Sequence, residues 1–105
     1  MTIPVMKLDL DNFKAYLEKH PRRLFPTTTK CKCPMAAWLQ EEAGFDKVMV
    51  NSTSIVVIHA SNTTEYQMPY WAYTFVRQFD GHHYRQPTHR LGQEAKAILE
   101  TIPNN

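Results

Sequence analysis

Pro34, placed directly after Cys33, constrains this chain more than any other residue, because it fixes where a helix must begin. Its φ is already helical, and its missing N–H would have had no intrahelical partner in the first turn. Cys33 is then the N-cap, and Met35, Trp38 and Leu39 follow at i, i+3 and i+4 on one face. Gly44 supplies a residue that turns left-handed at the far end, and Phe45 is placed to fold back on the apolar face.

The other prolines and glycines divide the rest of the chain. Residues 1–8 read as an extended lead-in in which Ile3, Val5 and Met6 cover the core or add an edge strand. Asp9 or Asp11 caps a helix over 10–20, where Leu10, Phe13, Tyr16 and Leu17 recur at helical spacing until His20-Pro21 ends it. From Pro21 to Cys33 the chain reads as a loop pinned by Phe25. Two β-branched runs follow, 47–51 and 54–60, and a strand over 64–68 after a Ser61-Asn62-Thr63 turn completes an antiparallel meander of two to three strands. The run Ile55-Val56-Val57-Ile58 predicts a central strand buried on both faces. Pro69 opens a helix over 69–80, with Trp71, Ala72, Phe75, Val76 and Phe79 on its inner side and Gly81 at its end. Thr88 caps a last helix over 89–102, whose apolar stripe Leu91, Ala95, Ile98, Leu99 and Ile102 stops at Pro103. Four helices packed on a small meander predict an α+β fold, with residues 1–105 as one globular domain.

Phe25-Pro26, the helix start Cys33-Pro34-Met35-Ala36 with Trp38-Leu39, and Pro69, Trp71, Phe75 and Asp80 resemble a pattern in short uncharacterised proteins of bacteria, phages and plasmids. The resemblance spans about residues 10 to 100 and implies a shared fold and a mobile-element origin. No activity comes with it.

Composition narrows the function classes. A chain of 105 residues that is 43% hydrophobic is long enough to bury a core without disulfides or a structural metal. No stretch has the length and apolarity of a membrane span, and the first residues lack the pattern of a secretory signal. A cytoplasmic protein with no membrane partner is therefore expected. Cys31 and Cys33 are too close for a disulfide in regular structure and read as reduced thiols. In that compartment the triplets Asn51-Ser52-Thr53 and Asn62-Thr63-Thr64 read as turn chemistry rather than glycosylation sites.

Three constellations bear on function. Cys33 at a helix N-cap, near Lys30 and Lys32, is where a thiolate would be stabilised, and it is the one candidate nucleophile. A small buried capping residue is the commoner use of such a cysteine. The net charge of +2 is too small to argue for nucleic acid, yet Lys19, Arg22, Arg23, Lys30 and Lys32 run without an intervening acid. With His82, His83, Tyr84, Arg85, His89 and Arg90 they outline two basic loops, 19–32 and 82–90, suited to phosphate contact and base stacking. Cys-x-Cys and adjacent histidines have the wrong spacing for the common zinc sites, so no metal or other cofactor is expected. Finally, Tyr70 and Tyr73 fall on the outer side of their helix, and with Tyr66 and Tyr84 they predict an exposed aromatic surface. Tyrosine tolerates half-exposure and is enriched where proteins meet. A non-catalytic protein-binding module is the leading expectation, nucleic-acid binding the alternative and a thiol enzyme the third.

Overall fold

A computed structural model describes residues 3–27, 29–51, 53–81 and 88–103. Among them are four helices and two small antiparallel sheets, an α+β fold with a radius of gyration of 13.1 Å. Helix α1 is Leu10–Lys19, β1 Leu24–Pro26, α2 Pro34–Glu42, β2 Lys47–Val50, β3 Ser54–His59, β4 Asn62–Gln67, α3 Tyr70–Asp80, β5 His89–Leu91 and α4 Gly92–Glu100.

The helix starts follow their capping chemistry. The Asp9 carboxylate accepts from the Asn12 N–H at 3.1 Å, and the Cys33 Sγ accepts from the Ala36 N–H at 3.5 Å. Gly44, at φ +79°, turns the chain out of α2, and half-buried Phe45 packs back against the core with its ring edge-on to His59. Pro69 is the N-cap of α3 rather than its first helical residue, and Gly81 at φ +78° ends it.

One aromatic side chain joins three helices. Phe13 of α1 lies 5.0 Å from Trp38 of α2, 5.9 Å from Trp71 and 5.0 Å from Phe75 of α3, ring centre to ring centre. The inner face of the larger sheet, Val48, Val50, Ile55 and Val57, belongs to the same buried cluster.

The larger sheet has the order β2-β3-β4, so β3 is central as its sequence predicts. Its burial alternates, however: Ile55 and Val57 are buried while Val56 and Ile58 are only half-buried on the outer face. A three-stranded sheet with helices on one face needs only one apolar side. The turn into β4 is also one residue earlier than expected. Ala60 and Ser61 both take positive φ, +50° and +71°, in a two-residue hairpin loop, and Asn62 and Thr63 are already paired strand. Asn62-Thr63-Thr64 is therefore ladder, not turn. The lead-in does reach a sheet edge: Val5 bridges to Gln67 in parallel, with the Met6 N–H on the Gln67 carbonyl and the Gln67 N–H on the Pro4 carbonyl, both 2.9 Å.

The main correction concerns both ends of the molecule. Part of the stretch expected to be loop, Leu24–Pro26, is strand β1, and it pairs antiparallel with β5, placing Leu24 opposite Leu91 and Pro26 opposite His89. Residues 89–91 are consequently strand, and α4 starts at Gly92 instead of 89. Thr88 does not cap that helix; its carbonyl accepts the Thr27 N–H at 2.9 Å. Capping falls instead to backbone carbonyls, since Arg23 accepts from the Gly92 N–H and Pro21 from the Gln93 N–H, each at 2.9 Å. The Glu94 side chain adds a bond to the Leu91 N–H at 2.9 Å.

Candidate functional site

Cys33 sits where its sequence position implies, with the thiol at the N-terminus of α2. Both cysteines are free. Only 5% of Cys33 is exposed, and burial pushes its thiol up to about 12, against the smaller lowering effect of the Ala36 and Met35 N–H groups. Desolvation thus outweighs the helix N-terminus at this position. Cys33, Lys30, Asn51 and Asp80 line a recess of about 200 Å³. A thiol kept protonated at neutral pH is a poor nucleophile, so the geometry favours the capping role.

The ribbon of β1 and β5 brings the described parts of the two basic loops together, which no local pattern announces. Their basic side chains do not share one task. Arg23 is spent on the protein itself: its guanidinium makes two hydrogen bonds to the Glu41 carboxylate at 2.9 and 2.8 Å, a third to the Tyr16 hydroxyl at 3.0 Å, and lies over the Phe25 ring. Tyr16 in turn donates to Glu41 at 2.9 Å. Hydrogen bonding from Arg23 lowers the Glu41 pKa, while burial raises that of Tyr16. Arg90 donates from Nε to the Phe79 carbonyl at 2.9 Å, tying β5 to the end of α3. Arg22, Lys30 and Lys32 are exposed. His82, His83, Tyr84 and Arg85 lie outside the described residues.

The tyrosines divide as well. Tyr66 is half-buried against the core on β4, whereas Tyr70, at the first turn of α3, is 65% exposed. Tyr73 is half-buried beside it, and Arg77, one turn on, donates to the Tyr73 hydroxyl at 2.8 Å with its guanidinium 5.3 Å from that ring. Tyr70, Tyr73, Thr74, Arg77 and Gln78 line a shallow recess of about 160 Å³. Tyr70 is exposed as the periodicity predicts, whereas Tyr73 packs partly against the core. Arg77, which holds Tyr73 in place, was legible only as the residue four positions after it.

Among the described residues no group of three His, Cys, Asp or Glu side chains is placed to hold a metal ion, and no helix is long and apolar enough to cross a membrane. No protein-family model, curated protein or solved structure matches the chain.

Proposed function

We propose that this domain is a non-catalytic protein-binding module whose contact centre is the outer face of α3. The observation that carries the reading is the recess of Tyr70, Tyr73 and Arg77. Tyr70 is a large exposed aromatic, and its neighbour is already immobilised by Arg77, so less side-chain freedom is lost on docking. Tyrosine and arginine are also the residue types that carry most binding energy in protein interfaces. A photo-reactive phenylalanine analogue at position 70, with a control at exposed Glu94, tests this in cells. A protein adduct formed from position 70 alone is expected, and Tyr73→Ala should weaken the isolated complex by about 2 kcal/mol. Equal adducts from both positions would sink the proposal.

Nucleic-acid binding is the second reading, supported by the ribbon that pairs Leu24–Pro26 of one basic loop with His89–Leu91 at the end of the other. It predicts affinity for mixed DNA or RNA that falls by about 0.7–0.9 log units per neutralised phosphate with each tenfold rise in salt. Fluorescence anisotropy with Arg22→Glu decides it: no binding at low salt removes this reading.

A further inference from the structure

Among the described residues two tyrosine hydroxyls are each held by an arginine, and the two groups differ in one component. At Tyr16, Arg23 donates from Nη1 to the hydroxyl oxygen at 3.0 Å, with its guanidinium 4.9 Å from the centre of the Phe25 ring. Glu41 closes this group: its carboxylate accepts from Nη1 and Nη2 at 2.9 and 2.8 Å, and from the Tyr16 hydroxyl at 2.9 Å. One carboxylate thus takes both guanidinium nitrogens and the phenol hydrogen, in the fork geometry that suits arginine to planar anions.

On α3 the same chemistry stops short of the anion. Arg77 donates from Nη1 to the Tyr73 hydroxyl at 2.8 Å and lies 5.3 Å from the centre of that ring. Because the hydroxyl oxygen is the acceptor there, its own hydrogen is left to donate, as are the other guanidinium N–H groups. Among the described residues neither side chain has a further polar partner, and no ion pair includes Arg77. No acidic residue lines the recess it shares with Tyr70, Tyr73, Thr74 and Gln78. Asp80, three residues on, lines the Cys33 recess instead.

We propose that the α3 recess binds a carboxylate side chain of the partner protein, a glutamate or aspartate that Arg77 and Tyr73 hold as Arg23 and Tyr16 hold Glu41. The proposal rests on the reading of α3 as the contact face and names what that face recognises. Charge selects an anion, since the lining carries one cation and no acid. The filled group around Glu41 shows that a carboxylate satisfies this pair of donors. A phosphoryl group brings up to two charges and is met by clusters of arginine, whereas the recess offers one. A chain-terminal carboxylate is captured by free backbone N–H groups, but those of Thr74, Arg77 and Gln78 are spent inside the helix. An acidic side chain is the source that remains. Exposed Tyr70 gives the residue beside it an aromatic surface to pack on.

Short random peptides, selected on the intact chain and retained only where Tyr70→Ala abolishes binding, test the proposal. The retained peptides should share an Asp or Glu. Replacing that residue with Asn or Gln should weaken binding to the wild type by about tenfold or more, and binding to Arg77→Met by less than about twofold. Arg77 is exposed, so the variant leaves the core untouched, and circular dichroism checks that it is folded. Arg77→Lys keeps the charge without the fork and should lose most of the discrimination between acid and amide. Tyr73→Phe removes only the hydroxyl and should weaken the acidic peptides while sparing their amide versions. Retained peptides with no common acid, or an amide replacement felt equally by the wild type and Arg77→Met, would overturn the carboxylate and leave the α3 contact face standing. Tighter binding when phosphoserine replaces the acid would overturn it in favour of a phosphate. A selection that yields no Tyr70-dependent peptide would remove both.

Discussion

Cys33 shows two local effects in competition, a helix N-terminus that favours a thiolate and close packing that forbids one. With packing dominant, Cys33→Ser, which keeps a small acceptor for the Ala36 N–H, should change stability by less than about 1 kcal/mol. Iodoacetamide at neutral pH should label half-buried Cys31 well before Cys33; the reverse order by mass spectrometry would reopen the nucleophile reading. The Ala60-Ser61 turn makes an opposite kind of prediction, since two side chains occupy left-handed conformations that Asn and Gly adopt at lower cost. Ala60→Asn with Ser61→Gly should stabilise the domain by about 1–2 kcal/mol in urea denaturation. Glu41 adds a pH dependence. Its pKa is held below the ordinary 4.5 by Arg23, so its contribution is present above that value and is lost as pH falls through the lowered one. Glu41→Gln should flatten the acid limb of a melting-temperature profile; an unchanged limb would show that the Arg23 contact contributes nothing.

At the scale of elements, the helices were legible because each carries its own signal: Asp9 or Cys33 at the start, an apolar stripe, and a proline or glycine beyond. The ribbon was not legible. Strands of three residues show no alternation to read, and what makes Leu24–Pro26 a strand is His89–Leu91, far away in the chain. Tertiary pairing likewise moved the start of α4 from 89 to 92, overriding the capping potential of Thr88. The same docking explains Gly92, where any Cβ would collide with the His20 carbonyl oxygen. Gly92→Ala should therefore cost about 2–3 kcal/mol, although alanine is ordinarily the better helix former, and a neutral result would mean that α4 is not seated on that turn. The candidate binding face was half legible: spacing placed Tyr70 outward, but it gave no sign that Tyr73 packs partly against the core or that Arg23 and Arg90 are engaged within the fold.

Across the whole molecule, Phe13 links α1, α2 and α3, so core substitutions there should act on all three together. Trp38→Ala or Trp71→Ala should each cost about 3–5 kcal/mol, enough to unfold a domain of this size, and a soluble variant with an unchanged melting temperature would refute that role. The ribbon has a consequence for how the fold is reached. The β2-β3-β4 meander closes between neighbours in the chain, and closing local contacts first is the faster route. α1, by contrast, waits for residues at the other end: β5 must meet β1, and α4 must bring Lys96 to Glu18 and Glu100 to Lys14. On the ribosome, then, the first helix emerges early and remains without its final partners until residues 89–100 have left the exit tunnel. Closure of the ribbon is therefore a late event in the folding of this domain, and until then α1 and β1 both lack a partner they have in the finished fold.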